Sequence, residues 1–172
     1  MDVNSARIIL AQMQRCFKEL NVPFVNESEM LYCEGFSNAI NFRSWFEKNG
    51  NLAEILAFVV PSHGIIQLTM NYNQNIEDFD ESTIRNLFSL LNAINKSDST
   101  FYWLFCSEAA KLEFRTAYYL AGNRLGERQF KSLLGKFLNI GPLYYKYFRR
   151  LINYNEDPNV MFYKMQVELK AM

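Results

Sequence analysis

The sequence predicts an α+β domain in which an antiparallel sheet has helices packed on one face. Three observations predict it. Two pairs of β-favouring segments have the spacing of hairpins, within residues 54–72 and 100–120. Segments with helical periodicity precede the first pair, separate the two pairs and follow the second. The predicted order is therefore a helix, four strands, a helix, two strands and then helices.

The opening helix covers residues 5–20, where apolar side chains recur at helical spacing. Pro23 ends it, because proline disfavours helical backbone in the residue before it. A first strand is predicted near residues 29–35, which are rich in β-favouring side chains. Residues 36–46 fit the alternation of a strand and also tolerate a helical interpretation, and we assign a strand there.

The first hairpin joins residues 54–61 to residues 65–72 through a turn at Ser62, His63 and Gly64. Alternation gives its first strand two apolar faces. One face carries Ile55, Ala57 and Val59, and the other carries Leu56, Phe58 and Val60. An antiparallel sheet of this class usually has one solvated face, so two apolar faces require a second cover, either a helix or another subunit. We expect the other subunit.

The second helix is predicted over residues 81–95, with Asp80 at its N-terminus. Residues 100–107 and 111–120 form the second hairpin, whose later strand alternates apolar with polar side chains, so that one face is solvated or partner-facing. A third helix follows over residues 125–138. Gly141 and Pro142 then restart the chain into a fourth helix.

We place a single domain at residues 1–154, and a linker with a C-terminal amphipathic helix at residues 155–172. Met161, Met165, Leu169 and Met172 have the spacing of one helix side. A helix this short must dock to stay ordered. Packing on its own domain is one possibility. We expect instead that it contributes to self-association or partner binding, so that truncation after Tyr154 leaves a folded domain.

The totals limit the function classes. Of 172 residues, 49% are apolar and 16% aromatic, as in a chain that folds. Lysine plus arginine and aspartate plus glutamate number 18 each, so no net field attracts nucleic acid or an anionic membrane. No apolar run reaches the roughly 20 residues of a membrane helix, and the N-terminus lacks the pattern of a signal peptide. We expect a cytoplasmic protein that does not bind membranes.

Candidate chemical groups are few. His63 is the one histidine, in a predicted turn, and Cys16, Cys33 and Cys106 are widely spaced in apolar surroundings, as buried thiols are. The acidic residues 77–81 lack the order of a calcium loop, and residues 122–126 lack a phosphate-loop pattern. We therefore predict no catalytic residue, no metal site and no cofactor.

A basic and aromatic cluster is the closest approach to a nucleic-acid site. Lys146, Arg149 and Arg150 alternate with aromatic residues over 144–148, and aromatic platforms with cations bind single strands. Packing of the aromatic rings in the core beneath a solvated basic rim is the favoured interpretation. The same cluster also suits an acidic protein partner.

The later part of the chain resembles the YbjN family, bacterial sensory transduction regulators whose fold is similar to that of type III secretion chaperones. The resemblance covers residues 54–152 and, by element order alone, the N-terminal third. It is carried by these segments: Leu90-Leu91-Asn92-Ala93-Ile94-Asn95, Phe101-Tyr102-Trp103-Leu104-Phe105, Lys111-Leu112-Glu113-Phe114-Arg115-Thr116, Glu127-Arg128-Gln129-Phe130-Lys131-Ser132-Leu133-Leu134 and Gly141-Pro142-Leu143-Tyr144-Tyr145-Lys146-Tyr147-Phe148.

The resemblance implies a type III secretion chaperone-like fold and a non-enzymatic module that holds another polypeptide as a homodimer. We therefore expect a protein-binding adaptor or chaperone-like regulator with a protein partner or client. A sensor of small ligands or nucleic acid is the alternative, and nucleic acid is the less favoured of the two predicted ligands. The predicted partner-binding residues are Tyr144, Tyr145, Tyr147, Arg149, Arg150, Met161, Met165 and Leu169.

Overall fold

The computed structural model describes residues 3–25, 40–48, 50–74, 79–106, 111–122 and 124–171. Its elements, in chain order, are α1 (Val3–Glu19), β1 (Phe24–Val25), β2 (Ile40–Lys48), β3 (Asn51–Val60), β4 (Ile65–Asn73), α2 (Glu81–Ser97), β5 (Tyr102–Cys106), β6 (Lys111–Tyr119), α3 (Glu127–Tyr154) and α4 (Pro158–Lys170). The predicted α+β class with an antiparallel sheet is confirmed.

The strands form one sheet in the order β1-β2-β3-β4-β6-β5, and every neighbouring pair is antiparallel. Five strands make up almost all of it, because β1 has only two residues. The hairpins β3–β4 and β5–β6 are those predicted from the sequence. At the first turn Gly64 has a positive φ of 60° and the His63 amide donates to the Val60 carbonyl at 3.2 Å.

The beginning of the sheet differs from the prediction. The strand expected near residues 29–35 lies outside the described residues, and the strand that follows α1 is the short β1. β2 agrees with the strand assigned to residues 36–46 from Ile40 onward and continues to Lys48. Residues 36–39 of that assignment also lie outside the described part.

The helices contact one face of the sheet, which we call the helix face. α1 packs on β2 and β3, α2 on β5 and α3 on β6. Ile55, Ala57 and Val59 of β3 are completely buried there, as predicted. Leu56 and Phe58 are half-buried on the opposite face. The second subunit expected over that opposite face stays a prediction.

α2 begins as the sequence predicts. The Asp80 carboxylate accepts a hydrogen bond from the Thr83 amide at 2.6 Å, which satisfies one of the free N–H groups of the first turn. The same hydrogen bond lowers the pKa of Asp80, because it favours the charged carboxylate. Asp80 therefore fixes the start of the helix that crosses from β4 to β5.

The prediction of separate third and fourth helices is wrong. α3 is one continuous helix that contains both, with Pro142 in its interior. Gly141 lies where α3 packs tightly on the sheet, since a Cβ there would be 2.8 Å from the Phe114 ring and 3.0 Å from the Met70 sulfur. Close packing therefore explains this glycine, and burial of the flanking turns outweighs the roughly 3 kcal/mol that proline costs a helix.

Two glycines of α3 give a matched test of that explanation. Gly141→Ala is expected to lower the free energy of unfolding by about 1 to 2 kcal/mol, since a methyl group overpacks the contact with Phe114. Gly135→Ala should raise it by about 0.5 to 1 kcal/mol, because its Cβ would meet open space and alanine favours helix. Urea denaturation of both variants measures the difference. Equal effects of the same sign would refute the packing argument.

α4 packs on the rest of the domain, against α2 and α3. Asp157 caps its start by accepting from the amides of Asn159 at 2.7 Å and Val160 at 3.2 Å. Met161 and Met165 are completely buried in the common core. Packing on its own domain, one of the possibilities considered for the tail, is therefore what the structure shows; Met172 lies outside the described residues.

Candidate protein-binding surface

The face of the sheet opposite the helices combines charged, polar and exposed apolar side chains. Its side chains come from alternate positions of five strands, and the strand register aligns them in rows across the sheet. The first central row, which we call the arginine row, contains Arg43, Leu56, Thr69, Arg115 and Tyr102. The second, the glutamate row, contains Trp45, Glu54, Asn71, Glu113 and Leu104.

Ion pairs link the two rows within the chain. Arg43 Nε lies 3.1 Å from Glu54 Oε1, and Asn71 Nδ2 donates to Glu54 Oε2 at 3.2 Å. Arg115 pairs with Glu113 on the same strand. These side chains are about one third exposed or less, so the charges are held in place along the middle of the face.

Buried polar atoms without a hydrogen-bond partner concentrate on this face. Among the described residues they are Asn41 Nδ2, Asn71 Oδ1 and Arg115 Nε on this face, and Trp103 Nε1 in the core. A buried donor or acceptor without a partner costs about 1 to 3 kcal/mol. Each of them therefore adds to the cost of folding unless an ordered water or a small side-chain movement satisfies it.

Large apolar side chains lie at the ends of the two rows and beyond them along the strands. Trp45, Tyr102 and Leu104 are each close to 40% exposed, Leu52 is 63% exposed and Tyr119 is 78% exposed. Aromatic residues together with arginine are enriched at protein interfaces. The face thus combines exposed anchors with fixed charges over a broad and shallow surface.

A cleft of about 740 Å³ lies on the helical side of the domain. Phe101, Leu133, Ile140 and Leu169 supply its apolar lining, and Asp98, Gln129 and Lys136 are among its polar groups. Asp98 already accepts from the amides of Thr100 at 2.7 Å and Phe101 at 3.2 Å. This volume lies in the range of small-molecule pockets, about 300 to 1,000 Å³.

Five of the eight residues predicted to bind a partner lie in the core. Tyr144, Tyr145, Tyr147, Met161 and Met165 are each buried. The Tyr145 ring stacks on Tyr72 with centroids 3.8 Å apart, and burial raises the pKa of Tyr144 to about 12. A partner could reach these five side chains only after the core opened, and their partner-binding role stays a prediction.

The other three predicted residues are accessible, and two of them, Arg149 and Arg150, line the same shallow pocket. Arg149 donates to Asn51 at 2.6 Å, and Arg150 donates to Glu156 at 2.7 Å. Leu169 is half-buried in the cleft. The basic cluster is partly neutralised, since Lys146 also pairs with Glu168 at 2.9 Å.

Glu168 fastens the end of α4 to α3. Its carboxylate accepts from the Tyr147 hydroxyl at 2.6 Å and from Lys146 at 2.9 Å, and these bonds lower the pKa of Glu168. Burial, with the hydrogen bond to Glu168 as a second cause, raises the pKa of Tyr147 to about 12. The tyrosine predicted to contact a partner thus holds the tail in place.

The histidine and the two described cysteines lie in a turn and in wholly or partly buried positions. His63 lies in the β3–β4 turn, with Nδ1 2.8 Å from the Ser62 hydroxyl. Cys16 is a buried thiol whose pKa is raised chiefly by burial, and Cys106 is a half-buried thiol. Cys33 and Asn123 lie outside the described residues, as do residues 77 and 78 of the acidic segment. In the described part, histidine, cysteine and carboxylate side chains form no group of three suited to a metal ion.

None of the described helices combines the length and the apolar character needed to cross a bilayer. No family model, no curated protein and no solved structure significantly matches this chain.

Proposed function

We propose that this protein is a non-enzymatic, protein-binding adaptor or chaperone-like regulatory module, and that it binds protein through the sheet face opposite its helices. The observation that carries the proposal is the charged arginine and glutamate rows bordered by exposed Trp45, Tyr102, Leu104 and Tyr119. A broad face suits a polypeptide better than a small molecule, which needs a concave site.

The resemblance to the YbjN family and to the type III secretion chaperone-like fold agrees with this proposal. The hairpin β3–β4 that precedes α2 and the hairpin β5–β6 that follows it occur in the expected order. The two described thiols agree with a cytoplasmic location. Family, chaperone-like fold and location are proposed on these grounds together with the sequence segments quoted above.

A matched pair of substitutions tests the binding face. Leu104→Lys places a charge on it, and Val167→Lys makes the same change on the exposed side of α4. We expect Leu104→Lys to weaken binding of a purified polypeptide partner, a second copy included, by at least about 30-fold, as at an interface hot spot. Val167→Lys should leave it unchanged.

Two measurements read the result: sedimentation for self-association, and pull-down from source cells followed by titration with the purified partner. The proposal fails if Leu104→Lys changes neither the sedimenting mass nor the affinity for any purified polypeptide. Circular dichroism confirms that both variants are folded.

Sensing of a small ligand is the second candidate function, favoured by the 740 Å³ cleft with its polar groups. A thermal-shift panel of nucleotides and oligonucleotides separates the two. A ligand that raises the melting temperature of the wild type, but not of Ile140→Lys, would support the cleft as the functional site.

A further inference from the structure

We infer that the partner of this sheet face is a second copy of the chain, related by a two-fold axis that runs across the strands between the arginine row and the glutamate row. The inference rests on the proposed function, because it requires the face to bind protein. Its support comes from the register of the strands.

The two rows are neighbours along every strand. Arg43 and Trp45, Leu56 and Glu54, Thr69 and Asn71, Arg115 and Glu113, and Tyr102 and Leu104 are each two residues apart on one face. A two-fold axis between the rows places each residue opposite its neighbour in the second copy. The arginine row of one copy then lies on the glutamate row of the other.

The facing side chains are complementary. Arg115 meets Glu113 of the second copy, Arg43 lies over the Trp45 ring, and Tyr102 packs on Leu104. Oppositely charged and cation–π contacts both favour association. Glu54 faces Leu56, but its charge is already balanced by Arg43 and Asn71 of its own chain.

Charge argues against one alternative axis. An axis parallel to the strands through β4 would place Glu54 opposite Glu113 of the second copy, and the Leu56 side chain opposite Arg115. Like charges that face each other in an interface cost several kcal/mol. The transverse axis avoids this contact and packs the two sheets with their strands antiparallel.

The face is large enough for a stable dimer. Four strands of nine or ten residues and one of five, about 4.8 Å apart, give roughly 650 Å² on each copy. A stable interface buries about 600 to 1,000 Å² on each partner. The helices and the cleft remain on the outer sides of such a dimer.

Charge exchange tests the inference without depending on a single variant. Wild-type protein should sediment at micromolar concentration with twice the 20.3 kDa chain mass. R115E and E113R should each raise the dimer dissociation constant by at least about 100-fold, because each places like charges at two symmetry-related contacts. Mixing the two variants should restore a dimer, since the heterodimer regains both opposite-charge contacts.

Restoration on mixing cannot arise from the pairing of Arg115 with Glu113 inside one chain, because that pair is broken in both variants. A wild-type monomer, a dimer insensitive to both substitutions, or a mixture that stays monomeric would each overturn the inference. If the wild type is a monomer while Leu104→Lys loses another polypeptide, the second-copy inference fails and the proposed binding face stands.

Discussion

Truncation after Tyr154 is expected to lower the free energy of unfolding by at least about 4 kcal/mol, because it removes two completely buried methionines, Met161 and Met165. Each buried methionine replaced by alanine costs about 2 to 5 kcal/mol, and truncation also exposes the surfaces of α2 and α3 that α4 covers. Total stability of a domain is about 5 to 15 kcal/mol. Urea denaturation followed by tryptophan fluorescence measures the loss.

This expected result revises the one drawn from the sequence, in which the truncated chain stayed folded. Two substitutions separate loss of core packing from loss of surface contacts. Met165→Ala should reproduce much of the destabilisation. Tyr163 lies on the same helix but is 70% exposed, so Tyr163→Ala should change the free energy of unfolding by less than about 0.5 kcal/mol. A truncated protein with the wild-type midpoint would show that α4 adds nothing to the core.

Local patterns predicted the hairpins and α2 because their determinants are local. The β3–β4 turn needs the backbone freedom of Gly64, and α2 begins at the capping carboxylate of Asp80. The continuity of α3 was missed because its determinant is tertiary. In the sequence, Gly141 and Pro142 indicate the end of a helix. In the fold, Gly141 makes room for Phe114, a strand residue 27 positions earlier.

The sequence predicted only part of the candidate binding face. The alternation of Glu113, Arg115 and Ala117 predicted a solvated or partner-facing side of β6. The other half comes from β2, where a helical interpretation competed with the strand, and so Arg43 and Trp45 were not recognised. Which rows align depends on strand order and register, since β6 lies beside β4 and β5 occupies the edge. Sequence periodicity within one strand does not specify that alignment.

The residues predicted to bind a partner show that composition alone does not distinguish a core from a binding surface. An aromatic and methionine surplus is typical of adaptable binding surfaces and also of cores. α3 packs on the sheet and on α4, so little of its surface contacts solvent. This packing buries Tyr144 and Tyr145 of α3 and Met165 of α4. An amphipathic tail helix has the same apolar spacing whether it packs on its own domain or binds a partner.

Phe114→Ala is expected to lower the free energy of unfolding by about 3 to 5 kcal/mol, the range for a buried phenylalanine reduced to alanine. The Phe114 ring lies at the centre of the core, with ring centroids 5.2 Å from Phe101, 4.9 Å from Trp103 and 5.0 Å from Phe137. Its loss therefore leaves a cavity and breaks several aromatic contacts. Tyr119→Ala on the same strand is the control, because that ring is 78% exposed.

A double-mutant cycle joins this prediction to the close approach of α3. Gly141→Ala overpacks the contact with Phe114 in the wild type, but in the Phe114→Ala background its methyl group enters the space that the ring has left. We expect the two effects to be non-additive by at least about 1 kcal/mol, in the direction that makes Gly141→Ala neutral or stabilising in that background. Additive effects within about 0.3 kcal/mol would mean that Phe114 does not set the requirement for glycine at position 141.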